Sequence, residues 1–328
     1  MKTLSPSLRR LIHILNDGEF HSGTALGDRL KITRSAVWKL IQQLEQYHIP
    51  IESLHGKGYR FTQALFLLDS KIILQHANLK PLQPQLKLFA SLNSTQTYLK
   101  AETTTRQHPL LCLAEHQTAG RGRLGRSWYS PFGINLFFSC LWNIQKDLSE
   151  LGGLSLIVSL AIIRALQEYG FEHKLYVKWP NDIYCDAKKL GGVLIEVSAE
   201  THGSAQVVIG IGLNVNMQEA PAKVIDQPWT SLQSLSNTPH ERSEIAGRII
   251  HWIFDYLQEF ERHGFKQFLP LWRRHDYLKG QKIRLHNSQG ITTGLVLGIN
   301  DHGQLRLQMP DAVGSFATGD TSLIKPVQ

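Results

Sequence analysis

Residues 120–128, GRGRLGRSW, crowd three arginines and three glycines into nine positions. Glycine in a helix interior costs about 1 kcal/mol relative to alanine, and an unpaired guanidinium in a core costs several kcal/mol more. The stretch is therefore a loop, and its neighbours must supply a scaffold. Upstream, PLLCLAEHQ (109–117) reads as a strand; downstream, GINLFFSCLW (133–142) reads as another. Gly120, Gly122 and Gly125 spell G-x-G-x-x-G, but the dinucleotide fingerprint must open a helix directly after its strand. Here RSWYSPFGINLFF follows, with Pro131 and Gly133 and then a β-rich run, so that reading fails on context. The chain also lacks a P-loop, an H-E-x-x-H motif and a G-x-S-x-G elbow. What remains is a glycine-arginine loop on a β scaffold, whose bare backbone can approach an anion while guanidinium forks pair with phosphate oxygens.

A second chemical cluster lies in KWPNDIYCDAKKLGGVLIE (178–196): a strand, a Pro180-Asn181-Asp182 turn, a second turn carrying Lys188 and Lys189, and a Gly-Gly entry to an apolar strand. A hairpin here brings Asp182 near Lys189. Asp182 could hold a metal ion or accept a proton, and Lys189 could steady charge on a phosphate or carboxylate.

The 328 residues leave room for about two domains and a small appendage. With 35 Lys+Arg against 27 Asp+Glu the net charge is +8, which favours an anionic partner such as nucleic acid or nucleotide. Cys112, Cys140 and Cys185 are far apart, against a disulfide framework or a cysteine zinc site. The N-terminus has no secretory pattern, and the longest apolar run, LSLIVSLAII (154–163), is too short for a membrane span. A cytoplasmic protein is expected.

Residues 1–64 read as three helices and a hairpin. SPSLRRLIHIL starts a helix after Ser5, SGTALGDRL forms a second behind Ser22, and TRSAVWKLIQQLEQYH a third capped near Thr33. Val37, Leu40, Ile41, Leu44 and Tyr47 form its apolar face; Arg34, Ser35, Lys39 and Gln42 lie on another, suited to phosphates and base edges. IPIESLHGKGYRFT then turns at Gly56-Lys57-Gly58, so the unit is a helix-turn-helix with a basic wing. Trp38 fits either core or DNA-facing surface. Residues 65–277 mix strands with two blocks of helix (150–170 and 240–265), which predicts α+β architecture without a regular βαβ array. Residues 278–328 are short strands broken by turn sequences and predict a small SH3-like β-barrel.

Taken together, STQ (94–96), EHQTAGRGRLGRSW (115–128), KWPNDIY (178–184), KLGGVLIE (189–196), IGIGLNVN (209–216) and QPWTSL (227–232) resemble, in order and spacing, the biotin-protein ligases. With the helix-turn-helix the resemblance is to the bifunctional biotin ligase and biotin-operon repressors, and it covers nearly the whole chain. It implies a winged helix-turn-helix, a central class II synthetase-like domain with a mixed sheet, and a reaction in which biotin and ATP give biotinyl-5'-adenylate, from which a lysine of a carrier protein takes biotin. The implied carrier is the biotin carboxyl carrier protein of acetyl-CoA carboxylase, and Mg²⁺ would neutralise the phosphates. Residues implied at the biotin are Ser94, Thr95, Gln96, Gln117, Gly120, Arg121, Gly122, Arg123, Lys189 and Gly210, while Arg123, Arg126, Asn181, Asn214, Ile225 and Trp229 would meet the nucleotide. Arg123, Lys189 and Asp182 would carry catalysis; Ser22, Arg34, Ser35, Lys39, Gln42 and Lys57 would meet operator DNA as an adenylate-bound homodimer. Gln96 departs from the family, where asparagine commonly follows Ser-Thr. Two alternatives stay open: a ligase whose N-terminal unit binds no specific operator, and a lipoate ligase.

Overall fold

The computed structural model describes residues 3–79, 82, 84–102, 109–201, 203–221 and 224–324, the side chains of 198–201 excepted. Three helices open the chain: α1 (Pro6–Leu15), α2 (Gly23–Leu30) and α3 (Arg34–Glu45). Each begins on a hydroxyl cap: Ser5 Oγ accepts from Leu8 N at 3.2 Å, Ser22 Oγ from Ala25 N at 3.1 Å and Thr33 Oγ1 from Ala36 N at 3.2 Å. Strands β1 (Ile51–Leu54) and β2 (Gly58–Phe61) form the antiparallel wing, with Gly56 and Gly58 at positive φ in its turn. Leu8, Leu11, Leu26, Val37, Ile41 and Leu44 make the core of this unit. Helix α3 is shorter than its sequence pattern suggests: it stops at Glu45, and Tyr47 reaches the core from the turn beyond, its ring stacked on Phe132 with centroids 4.5 Å apart.

The middle of the chain contains α4 (Ser70–Ala77), β3 (Gln85–Phe89), α5 (Thr95–Ala101), β4 (Leu110–Ala114), β5 (Leu136–Ile144), α6 (Leu154–Glu168), β6 (Tyr176–Lys178), β7 (Asp182–Cys185), β8 (Lys188–Thr201), β9 (Ser204–Leu213), α7 (Leu232–Ser236), α8 (Arg242–His263) and α9 (Leu269–His275). Its seven strands form one sheet in the order β3-β4-β5-β9-β8-β7-β6, antiparallel except for β3 with β4. Strand parity divides the residues between its two faces. On β9, Val207, Ile209, Ile211 and Leu213 enter the large core beneath α6 and α8; Val208, Gly210 and Gly212 point the other way. On β5, Leu136, Phe138, Cys140, Trp142 and Ile144 join the same core, leaving Ser139 and Leu141 on the opposite face beside α5. Helix α6 is apolar nearly all round because it is enclosed between sheet and helices. No helix among the described residues is long and apolar enough to cross a membrane.

The chain ends in β10 (Lys282–Asn287), β11 (Gly290–Ile299), β12 (Leu305–Gln308), β13 (Val313–Phe316) and β14 (Asp320–Leu323), an antiparallel sheet ordered β13-β12-β11-β10-β14. The expected small all-β unit is present; β13 and β14 lie at opposite ends of the strand order, which is compatible with a barrel and does not itself establish one.

A buried polar junction ties the helical unit to the sheet. Arg242 is fully buried at the start of α8, and its guanidinium meets Glu115 Oε2 at 2.6 Å, Asn135 O at 2.8 Å and the carbonyl of Phe66. Glu115 Oε1 accepts from Leu68 N at 2.6 Å, and the neighbouring Leu65 exchanges two hydrogen bonds with the Asn16 side chain. Every member is satisfied, which is the condition under which a buried ion pair is tolerated. Replacing Arg242 with leucine leaves a buried carboxylate without its countercharge and removes the guanidinium donors from two carbonyls, and is expected to lower unfolding stability by about 3–5 kcal/mol, read from the denaturant midpoint.

Candidate active site

A cavity of about 790 Å³ opens on the sheet face opposite α6 and α8. Its floor is built where three strands come into register: Ser139 on β5 faces Gly210 on β9, which faces Leu194 on β8. A Cβ on Gly210 would stand 2.4 Å from Gln96 Oε1, and one on Gly212 would stand 2.5 Å from the Trp128 ring, so a side chain at either position would have to displace those groups. Helix α5 delivers the polar lining. Ser94 caps it, Thr95 Oγ1 lies 2.8 Å from Ser139 Oγ and Thr95 N donates to Gln117 Oε1 at 2.9 Å. Gln96 is buried, donates to Val208 O at 3.0 Å and accepts from Ser139 Oγ at 3.2 Å. These side chains form one connected hydrogen-bonded row along the cavity end.

The glycine-arginine loop closes one side. Gly122 N donates to Arg126 O at 2.7 Å, and Leu124 takes the left-handed φ of +54° to make the reversal. Arg121 pairs with Glu196 through contacts of 3.0 and 3.2 Å; Arg123 donates to Asn181 Oδ1 at 3.1 Å and to Gly319 O at 3.2 Å. Asp320, from the C-terminal sheet, is paired with Arg126 and lies 3.6 Å from Arg123. Burial holds the Arg123 guanidinium below its ordinary range, which makes an anionic partner the more valuable there. Gly120 does not line this cavity. It lies behind it, where a Cβ would meet Trp128 O at 2.5 Å, so it lets the loop pack against the segment it returns to.

The opposite wall is the β7–β8 hairpin. Lys189 Nζ meets Asp182 Oδ1 at 2.8 Å, as the hairpin reading requires, and lies 5.3 Å from the centroid of the Trp128 ring. Asn181 donates to Val193 O at 2.6 Å, which fixes the turn. Lys178, one turn earlier, also faces the cavity, and burial pushes its ammonium below the usual lysine range. The segment 224–229 covers the far end with Ile225 and Trp229, tethered where Lys189 N donates to Pro228 O and Thr230 N to Lys189 O, each at 2.9 Å. Asn214 supports it from β9's end by donating to Thr230 O at 3.0 Å.

Every residue expected at biotin or nucleotide lines this one cavity except Gly120. Sequence reasoning missed Ser139, Lys178, Trp128 and the C-terminal Asp320. Ser139 had a signal, being a polar residue within an otherwise apolar run (136–142); Lys178 stood inside KWPND; Asp320 lies 194 positions from Arg126 and had none.

On the helical unit, Arg34, Ser35 and Lys39 are exposed along α3, with Trp38 beside them at 53% exposure. Gln42 is half-buried and donates to Glu45 at 2.7 Å. Ser22 caps α2, and Lys57 is exposed at the wing tip.

A winged helix-turn-helix joined to a sheet with a polar, arginine-rimmed cavity defines a ligase-type catalytic domain carrying a DNA-binding unit. Residues 88–214 match the biotin/lipoate A/B protein ligase family, and residues 7–60 match an HTH domain. The bifunctional ligase/repressor BirA of Salmonella typhimurium is 35% identical over 313 residues, 95% of this chain and 96% of that protein; its Escherichia coli counterpart is 33% identical over 96% of each. The biotin protein ligase from Aquifex aeolicus in complex with biotin and ATP has a TM-score of 0.64 at 30% identity, covering 74% of this chain and 99% of that one. The chain belongs to the bifunctional ligase/repressor BirA family.

Removing the Asp320 carboxylate unpairs Arg126 and takes a nearby countercharge from Arg123. Losing about 1 kcal/mol of pairing raises the opened population about fivefold, so Asp320→Ala is expected to speed tryptic cleavage at Arg121, Arg123 and Arg126 by that factor, read from the rate of fragment appearance.

Proposed function

We propose that this chain is a biotin-protein ligase that activates biotin with ATP and transfers it to a lysine of a carrier protein, and that its helix-turn-helix unit represses transcription from an operator. The observation that carries the ligase reading is the single cavity with a hydrogen-bonding row at one end and Arg123, Lys189 and Asn181 at the other. The ureido head of biotin, with donors and an acceptor, suits the Thr95, Gln96 and Ser139 row. The carboxylate then reaches Arg123 and Lys189, where it attacks the α-phosphorus of ATP; pyrophosphate leaves and biotinyl-5'-adenylate forms.

Lys189 and Arg123 supply fixed positive charge where negative charge builds on the phosphorus oxygens. Asp182 holds Lys189 in place in the resting site. It accepts the proton of the carrier lysine as that amine attacks the mixed anhydride and AMP departs. Ile225 and Trp229 enclose the adenine, so the segment 224–229 acts as a cover that protects a hydrolysis-prone anhydride. Among the described residues no group of three metal-binding side chains lies in the cavity, and Mg²⁺ typically takes one or two carboxylates and the substrate's own phosphates. Asp182, Asp226 and Asp320 are the carboxylates that line the cavity and would be available for that.

The carrier is the biotin carboxyl carrier protein of acetyl-CoA carboxylase. The repressing species is an adenylate-bound homodimer, which presents Ser22, Arg34, Ser35, Lys39 and Lys57 of both copies to a two-fold operator; Gln42, held by Glu45, backs this face. The working division of the chain is 1–64 for DNA, 65–277 for catalysis and 278–328 for the C-terminal sheet. Three free, buried cysteines fit a cytoplasmic location.

The test is incubation with biotin and ATP-Mg²⁺ followed by mass spectrometry of the bound small molecule. Biotinyl-5'-adenylate is expected; a lipoyl-adenylate formed in preference from mixed substrates would reassign the substrate. Lys189→Ala is expected to keep its fold by circular dichroism and lose pyrophosphate release by at least about a hundredfold, the order seen for one electrostatic donor. Arg34→Ala with Lys39→Ala is expected to weaken operator binding at least about tenfold and flatten its salt dependence while ligation stays unchanged; equal affinity in a gel-shift titration refutes the DNA assignment.

A further inference from the structure

At the far end of the hairpin that carries Asp182 and Lys189, a different set of side chains comes together. Cys185 ends β7, Asp186 begins the two-residue turn to β8, and His173 stands on the loop between α6 and β6. Their donor atoms, one imidazole nitrogen, one thiol sulfur and one carboxylate oxygen, all lie within 4.8 Å of one another. Asp186 and Ala187 both adopt left-handed φ, +47° and +59°, as a tight type I′ hairpin demands. That turn fixes Asp186 immediately beyond the thiol. His173 and Asp186 are exposed and Cys185 is buried, so two of the three donors face water and the thiol lies at the edge of the core.

We propose that His173, Cys185 and Asp186 form a binding site for a borderline-soft divalent transition-metal ion such as Zn²⁺, separate from the ligase cavity. The donor set decides the class of ion. A thiolate and an imidazole favour zinc-like cations, whereas Mg²⁺ and Ca²⁺ take oxygen donors. In a tetrahedral zinc site, bonds of about 2.0–2.3 Å place donors about 3.3–3.8 Å apart. Closing from the present spacing needs about 1 Å, within the reach of two exposed side chains. Neither is committed elsewhere: His173 has one ring contact, with Phe171 at 5.0 Å, and Asp186 has no hydrogen bond or ion pair among the described residues. The fourth position stays open to water or a partner's side chain.

Burial and the adjacent Asp186 carboxylate push the Cys185 thiol up to about 11. A cation between the two removes both obstacles, because a coordinating thiol is deprotonated outright. The other two cysteines, Cys112 and Cys140, are fully buried in the sheet's cores, and among the described residues neither stands in such a group. A bound ion would pin the hairpin tip to the loop that precedes β6, and so stiffen the two strands that present Asp182 and Lys189 from their distal end. The site stands independently of the substrate assigned to the ligase cavity.

The reduced full-length protein, stripped with a chelator, is titrated with Co²⁺ while thiolate-to-cobalt charge-transfer absorption is followed. One equivalent is expected to produce the band, Zn²⁺ to abolish it by displacement, and excess Mg²⁺ to leave it unchanged. Cys185→Ser is expected to lose the band. His173→Ala, a substitution at an exposed position that leaves the fold intact, is expected to weaken cobalt binding at least about tenfold. Absence of the band in the natural sequence, its persistence in Cys185→Ser, or an unchanged cobalt affinity in His173→Ala overturns the proposal.

Discussion

Glu115 and Arg242, a carboxylate and a guanidinium without access to water, hold three parts of the chain in one place: the segment leading out of the helical unit, the start of the glycine-arginine loop and the first turn of α8. Charges in such a position are tolerable only if they are paired and hydrogen-bonded, and here each carboxylate oxygen and each guanidinium nitrogen has a partner. The loop therefore leaves the sheet from a fixed point. Glu115 cannot move without unpairing Arg242 and Leu68 together, and Arg242 in turn holds the Phe66 carbonyl. The same junction sets the helical unit on the sheet, with Leu65, Ala90 and Phe132 shared in one small core.

The cavity owes its shape to the pleat. In β5 and β9 the residues of one parity are large and apolar and build the helix-covered core, while on the other face Ser139, Gly210 and Gly212 keep the cavity floor small or polar and Leu141 and Val208 pack beside α5. Gly210 and Gly212 give up side-chain burial so that Gln96 and the Trp128 ring can lie directly on the backbone. Gln96, a departure from the family's usual asparagine, is longer by one methylene, and its amide reaches across β9 to Val208 O. The departure thus keeps a polar floor in the site.

Features governed by chemistry between near neighbours are legible in the amino-acid sequence itself. Caps at Ser5, Ser22 and Thr33, the glycine wing turn, the loop and the Asp182–Lys189 hairpin all depend on residues within about a dozen positions of one another. Helix α5 escapes such a reading because seven residues carry too little periodicity to announce a helix. The end of α3 is misplaced by it because Tyr47 has the right spacing for the apolar face but reaches it from a turn. The Glu115–Arg242 pair spans 127 positions and the Arg126–Asp320 pair spans 194. Such contacts belong to the tertiary arrangement, and no local pattern encodes them.

Asp320 pairs with one loop arginine and stands near another at the cavity. An incoming anion therefore meets occupied guanidiniums, and binding becomes an exchange of one negative partner for another. The net gain is the difference between two ion pairs, and salt screens both sides of that exchange. A pocket wired in this way trades raw affinity for selectivity: a small stray anion gains little by displacing Asp320, whereas a ligand that also fills the floor and the far wall repays the displacement through contacts the carboxylate never made.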